Sequence, residues 1–297
     1  MHISVLLESS IDALSLAPGD IVIDGTFGGG GHTRAILAKE SSLRVVCVDL
    51  DEAAQERFVQ EFAQEPRAQF VHDNFAHASA ILAATGQTHA TKVLLDLGTS
   101  TFQLLTDERG FSFNSDAPLS MTFSSSLSRT GFTADDMINR WSEESLADIF
   151  FYYGDERRAR TIAKAIVAAR ADAPIRTSRS LAEVIVSVSP RRSRIHPATK
   201  VFQAIRIAVN DELAVLEEAL NAWWKYLAPQ GRIAVITFHS LEDRVVKRWV
   251  QTLSKDAPDD IRVITKKPIV PSRTELSYNP RSRSAKLRVV EKSSLSF

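Results

Sequence analysis

The sequence predicts an α/β protein: a doubly wound, mostly parallel seven-stranded sheet carrying an inserted all-helical domain. Three observations predict it. Short β-rich runs alternate with helical patterns through the first third of the chain. The alternation stops after residue 104, giving way to a loop and then to helices alone. It resumes near residue 206 with a long amphipathic pattern followed by three more strand-like runs. Consecutive βα units build a parallel sheet with helices on both faces, and a helical block in their midst is an insertion. The expected division is 1–104 with 206–297 for the sheet domain and 105–205 for the insertion.

Taken in order, the opening MHISVLLESSIDALSLAPGD reads as a first helix. It lacks a basic leader or an Arg-rich presequence, so a cytoplasmic location is expected. Asp20–Asp24, Arg44–Asp49, Gln69–His72 and Lys92–Leu97 read as strands, apolar enough to be covered on both faces. Thr106–Arg129, rich in Ser, Gly, Phe and Asp, reads as a loop. Helices are predicted at Ala134–Trp141, Glu143–Phe151, Glu156–Ala171 and Ser180–Val188. Phe202, Ile205, Val209, Leu213, Leu216, Leu220, Trp223 and Leu227 recur every three or four residues and predict one long helix. Pro229 and Gly231 end it. Gly231–Thr237, Ile261–Thr265 and Ala285–Val290 complete the seven strands.

Composition narrows the class. Hydrophobic residues make up 44% and charged residues 24%, ordinary for a protein with a real core. No apolar run reaches the ~18 residues of a membrane span. The single cysteine, Cys47, lies in the apolar run VVCVD and reads as a buried small side chain. Without paired cysteines or an HExxH arrangement among the 7 histidines, no metal site is expected. The net charge of +0 conceals an uneven distribution. Residues 1–60 hold 9 acids against 4 bases, residues 155–206 hold 12 bases against 4 acids, and residues 262–292 hold 9 bases against 2 acids. That asymmetry suits a polyanion met by one part of the protein, although solvated helical faces would look the same.

The densest signal is Asp24-Gly25-Thr26-Phe27-Gly28-Gly29-Gly30-Gly31-His32, directly after the first strand. Glycines there bring the backbone against a nucleotide-like ligand at the start of a helix. A dinucleotide fingerprint beginning at Gly28 needs glycine or alanine at position 33, where Thr33 stands. An acid four positions before the first glycine of a GxG pair, as Asp24 is before Gly28, favours S-adenosylmethionine. Asp49, at the end of the second strand, can accept both ribose hydroxyls of either cofactor. Asp73-Asn74-Phe75 and Asp96-Leu97-Gly98-Thr99-Ser100 follow the third and fourth strands, where further ligand groups belong. Phe75 can serve the adenine or the core equally, whereas a carboxylate such as Asp96 on an apolar strand end wants a partner.

Taken together these blocks resemble one family, the bacterial ribosomal RNA small-subunit methyltransferase H family (formerly MraW). The resemblance also rests on Arg109-Gly110-Phe111-Ser112-Phe113, Tyr153-Gly154-Asp155-Glu156, His196-Pro197-Ala198-Thr199 and Val209-Asn210-Asp211-Glu212-Leu213. Phe238-His239-Ser240-Leu241-Glu242-Asp243-Arg244 and Asn279-Pro280-Arg281-Ser282-Arg283-Ser284-Ala285-Lys286-Leu287-Arg288 extend it nearly to the end. It implies a Rossmann-like class I methyltransferase fold and N4-methylation of a cytidine in the decoding centre of 16S ribosomal RNA. It further implies cofactor contacts from Gly30, Gly31, His32, Asp49, Phe75, Asp96 and Gln103, and substrate recognition by the helical insert, and it allows a homodimer. The chain departs from the family at Ser100-Thr101-Phe102-Gln103, at Pro118-Leu119-Ser120-Met121-Thr122-Phe123, where an Asp and an Arg are lost, and at Ser9.

For the chemistry, Asp96 is the leading candidate beside the reacting amino group and His239 the second, as proton acceptor; a hydrogen bonder closing the fifth strand is an equal alternative for His239. Phe111 and Phe113 could stack on the target base, with core packing the alternative for at least one. Arg191, Arg192, Arg194, Lys200, Arg273, Arg281, Arg283, Lys286 and Arg288 are the candidate phosphate contacts on the small-subunit RNA. The competing readings are a ribosome-assembly factor that binds the cofactor with little or no turnover, a methyltransferase for another nucleic acid or a small molecule, and a dehydrogenase, which Thr33 disfavours.

Overall fold

The computed structural model describes residues 3–98, 109–124, 129–190 and 196–294. Two compact units emerge, Met1–Ser100 with Leu213–Phe297 and Thr101–Glu212.

The first unit is built on β1 (Ile21–Asp24), β2 (Arg44–Asp49), β3 (Ala68–His72), β4 (Ala90–Asp96), β5 (Leu227–Thr237), β6 (Ile261–Val263) and β7 (Lys286–Lys292). They form one sheet in the order β3-β2-β1-β4-β5-β7-β6. The first five strands run parallel, and β7 is antiparallel to both β5 and β6. Alternate residues of each strand point to opposite faces, so each strand feeds two cores. Val22, Val45, Cys47, Leu94, Ala234 and Ile236 pack with α1 (Leu7–Leu14), α2 (Gly31–Lys39) and α3 (Glu52–Phe62). Ile23, Val46, Val93, Leu95, Ile233 and Val235 pack with α4 (Ala78–Ala84) and with the later helices α10 (Glu212–Tyr226) and α11 (Ser240–Asp256). A short helix α12 (Arg273–Tyr278) and a 3-10 turn at Pro280–Ser284 lead into β7.

The second unit contains α5 (Ala134–Arg140), α6 (Glu143–Tyr152), α7 (Ala159–Asp172), α8 (Ser178–Val188) and α9 (Thr199–Asn210) around one apolar core. Its helix starts are written in the sequence: Thr133 and Thr177 close capping boxes, and Ser142 caps α6. The helical stretch expected at 105–205 extends here to a unit of 101–212.

The fifth strand opens at Leu227 rather than Gly231, the sixth ends at Val263 rather than Thr265, α12 is an addition, and one expected helix differs in kind. The single helix expected over 202–227 is two, because Asp211 takes a left-handed conformation (φ 52°) between α9 and α10. The apolar repeat passes through this break undisturbed, but its residues serve different cores. Phe202, Ile205 and Val209 fill the helical unit, whereas Leu216, Leu220 and Trp223 cover the sheet.

Candidate active site

Three carboxylates stand at the carboxyl ends of adjacent strands: Asp24 on β1, Asp49 on β2 and Asp96 on β4. The chain order reverses between β1 and β4, the place where open α/β sheets bind ligands. Asp24 is fully buried; its Oδ2 accepts the Thr33 hydroxyl at 2.7 Å and its Oδ1 makes no hydrogen bond. Burial pushes its carboxyl up to about 6. Asp49 accepts the Gly28 N–H on Oδ2 at 2.7 Å and the Asp51 N–H on Oδ1 at 2.9 Å, and burial raises it too to about 6. Asp96 lies well above the usual carboxylate range, through burial first and then the neighbouring carboxylates of Asp24 and Glu242. Its Oδ1 is also buried without a hydrogen bond.

The glycine loop closes over these groups. Gly30 adopts φ 71°, and a Cβ there would stand 2.8 Å from the Phe62 ring and 3.0 Å from Phe27. A Cβ on Gly31 would collide with the Ser4 hydroxyl. Beneath the loop, Phe27 meets Phe58, Phe62 and Phe70 edge-on, with ring centroids 5.6 to 5.8 Å apart. Arg57 donates from Nε to the Gly28 carbonyl at 2.9 Å, supporting the loop from α3.

His32, buried in the first turn of α2, places Nε2 3.2 Å from the Val5 carbonyl. A carbonyl only accepts, so Nε2 carries the proton and Nδ1 is left as an acceptor, 3.7 Å from Asp96 Oδ2. Burial lowers the imidazole to about 4, so it is neutral near pH 7. The N-terminal segment that His32 grips is held from its other side as well. Leu6 donates its N–H to Glu275 Oε1 at 2.8 Å, and Asn279 donates from Nδ2 to the Ile3 carbonyl at 3.2 Å.

Phe75, after β3, receives the Trp223 indole N–H on its carbonyl at 2.7 Å, and its Cβ stands 3.3 Å from where a Cβ on Gly25 would lie. His239 follows β5 and caps α11, its Nδ1 accepting the Glu242 N–H at 3.4 Å. Glu242 in return accepts the N–H groups of Phe238 and His239 at 2.7 and 3.1 Å. His239 Nε2 lies 3.0 Å from Glu242 Oε1, but without the alignment of a hydrogen bond.

The expected phosphate contacts divide. Lys286 and Arg288 turn inward to Asp243, at 3.1 and 2.7 Å. Burial raises that carboxyl, but the two hydrogen bonds more than offset it and hold it below its usual value. Lys200 donates to the Asp155 carbonyl at 2.6 Å. Arg273, Arg281 and Arg283 are exposed on α12 and the 3-10 turn. Gln103, Arg191, Arg192 and Arg194 lie outside the described residues.

In the helical unit, Phe111 is buried and stacks on Phe123 at 5.5 Å, a core position that removes it from the target base. Phe113 stacks on His196 at 4.2 Å. Ser120 and Thr122 hydrogen-bond each other at 2.8 Å. Asn210 holds both sides of that turn, accepting the Phe123 N–H at 2.9 Å and donating to the Met121 carbonyl at 2.8 Å.

Residues 1–293 match the model of the MraW methylase family. The chain belongs to that family. Curated relatives align with it nearly end to end. A protein of Methylobacterium nodulans named ribosomal RNA small subunit methyltransferase H is 45% identical, covering 98% of this chain and 90% of that protein. Proteins of the same name from Granulibacter bethesdensis and Deinococcus radiodurans are 43% and 44% identical over 98% of this chain, covering 91% and 89% of their own lengths. A putative methyltransferase of Streptococcus mutans, solved in complex with SAH, aligns at 13% identity and TM-score 0.46 over 98% of this chain and 99% of its own.

Several supports of the site carry no signal in the sequence that marks them as such. Thr33 stands out there only as a break in the dinucleotide pattern, yet its hydroxyl is the side-chain partner of Asp24. Thr26 accepts the Asp96 N–H at 2.7 Å, linking the glycine loop to β4. Arg57, Glu275 and Asn279 are locally silent, because their partners lie 29, 269 and 276 residues away.

Proposed function

We propose that this chain transfers the methyl group of S-adenosylmethionine to N4 of a cytidine in the decoding centre of 16S ribosomal RNA. The observation that carries the cofactor is the pair of buried carboxylate oxygens without hydrogen bonds, Asp24 Oδ1 and Asp96 Oδ1, beside a glycine loop. Buried acids of this kind are costly alone and suit a ligand bearing positive charge. Membership of the family and the end-to-end likeness to relatives named for small-subunit ribosomal RNA support the target.

When bound, S-adenosylmethionine supplies a methyl carbon on a positively charged sulfur that leaves readily. Gly30 and Gly31 bring backbone against the ligand, and Asp49 keeps lone pairs for ribose hydroxyls beyond its two backbone bonds. Phe75 is assigned to the adenine by resemblance. His32 fixes the N-terminal segment and faces Asp96. Gln103 is assigned to the cofactor by resemblance alone.

A cytosine amino nitrogen is a weak nucleophile because its lone pair is delocalised into the ring. Asp96, with the carbonyls of Leu97 and Gly98 after it, can accept the amino N–H bonds and favour the pyramidal nitrogen that attacks. Alignment of the reacting atoms supplies much of the remaining barrier reduction. The imidazole lone pair of His239 serves its helix cap, so we assign the proton released by the nitrogen to Asp96. The base must be unpaired or flipped to enter. Arg273, Arg281 and Arg283 are the phosphate contacts we retain among the described residues.

The test is methyl transfer from labelled cofactor to small subunits lacking the modification, followed by nucleoside analysis. Label in N4-methylcytidine is expected. Label in another nucleoside overturns the assigned target, and cofactor binding without any transfer favours an assembly role.

A further inference from the structure

Among its described residues, the helical unit pairs eight of its twelve cations. Arg129, Arg140, Arg176, Arg179 and Arg206 meet Asp211, Asp136, Asp135, Asp116 and Glu212 at 2.7 to 3.3 Å. Arg109, Arg170 and Lys200 donate to backbone carbonyls. Among the described residues of that unit the exceptions are Arg157, Arg158, Arg160 and Lys164, four exposed side chains with neither a carboxylate nor a carbonyl partner. They fall within eight consecutive residues at the start of α7.

The same end of the α6–α7 hairpin carries two exposed aromatic rings. Phe151 is 54% and Tyr152 65% exposed, and the rings meet edge-on at 5.2 Å. The turn between the helices is tight: Asp155 and Glu156 donate N–H bonds to the carbonyls of Phe151 and Phe150 at 3.1 Å each. The cations follow that turn directly in the chain, from Arg157 onward. Two bulky rings left in water, next to charges with no internal partner, are groups placed for something outside the chain.

We propose that this end of the α6–α7 hairpin is a docking surface for single-stranded RNA, its rings stacking on bases while Arg157, Arg158, Arg160 and Lys164 neutralise phosphates. Stacking on aromatic faces with cations tracking the backbone is how unpaired strands are held without base-specific hydrogen bonds. Charge argues against a second copy as occupant, since a two-fold contact would set four cations against the same four. The surface rests on the proposed function only in taking RNA as the partner, and it assigns residues beyond those expected to meet phosphate.

The experiment is fluorescence anisotropy of a labelled oligouridylate with the full-length protein over a series of salt concentrations. Oligouridylate contains no cytidine, so the result does not depend on methyl transfer or its target. Tyr152→Ala is expected to weaken binding about tenfold, and Tyr152→Phe to retain it, because the ring and not the hydroxyl stacks. Replacing Arg157, Arg160 and Lys164 by Gln should lower the slope of log affinity against log salt by roughly 0.7 for each phosphate no longer neutralised. These side chains are exposed, and circular dichroism should show the fold intact. Unchanged affinity and salt slope, or no binding by the unaltered protein, would overturn the proposal. So would a shift from dimer to monomer in sedimentation with RNA binding unaltered, which would make the surface a self-interface.

Discussion

In the sheet unit the decisive carboxylates stand at strand ends, Asp24 buried and Asp49 and Asp96 half-buried, whereas the core of the helical unit is apolar. Asp24, Asp49 and Asp96 have lost most of their water, and two of them hold an oxygen with no hydrogen bond. The helical unit shows the reverse, with exposed cations and rings over a core closed by capped helices. A group buried without its full complement of partners awaits a ligand small enough to enter. One left in water without an internal partner awaits a large surface. The comparison predicts that substitutions in the first unit act on cofactor affinity, and that those in the second leave it untouched.

The largest effect is expected at Asp49. Asp49→Ala strips the acceptor from the Gly28 and Asp51 N–H groups together, and calorimetry should show cofactor affinity falling about a hundredfold, on the order of two charge-assisted hydrogen bonds. Retained affinity would break the claim that strand-end carboxylates organise the site.

Next comes pH. Asp24 and Asp49 titrate near 6 in the folded protein against an ordinary 3.8. Between about 4 and 6 the folded state therefore holds protons that the unfolded chain releases, and these two groups disfavour the ligand-free fold progressively as pH rises through that window. A cationic ligand prefers the carboxylates, so cofactor affinity should rise from pH 5 to 7, with proton release measurable by calorimetry in buffers of different ionisation heat. A flat profile would remove the buried acids from the binding account.

Thr33→Val preserves shape but takes from Asp24 its hydroxyl donor. Urea unfolding should register a loss of about 1–3 kcal/mol, the cost of a buried polar group left without its partner. The smallest effect sharpens the contrast from the other side: Thr177→Ala removes the N-cap of α8 and should cost about 1 kcal/mol of stability while cofactor affinity stays constant.

Local patterns carried much of this into the sequence. The buried strands β1, β2 and β4 announce themselves as apolar runs ending in Asp24, Asp49 and Asp96, and the glycine block after β1 marks where a ligand's backbone contacts lie. The starts of α5 and α6 at Ala134 and Glu143 were legible in the sequence, whereas α8 opens at Ser178 behind its Thr177 cap, two residues ahead of the expected Ser180. The break at Asp211 was not, since an apolar repeat has the same spacing whether its residues serve one core or two. Lys286 and Arg288 read as phosphate contacts in a basic run, because nothing local places Asp243, more than forty residues earlier, beneath them.

The sequence by itself therefore determined the strand and helix alphabet, the glycine loop and the family, all of which depend on residues near one another in the chain. Only the tertiary structure decided which carboxylates are buried without full partners, which cations are already paired, and what grips the N-terminal segment at His32, Glu275 and Asn279. Burial and pairing are set by residues that meet across the fold. Side chains of the same type, such as Arg288 inside and Arg157 outside, part company only there.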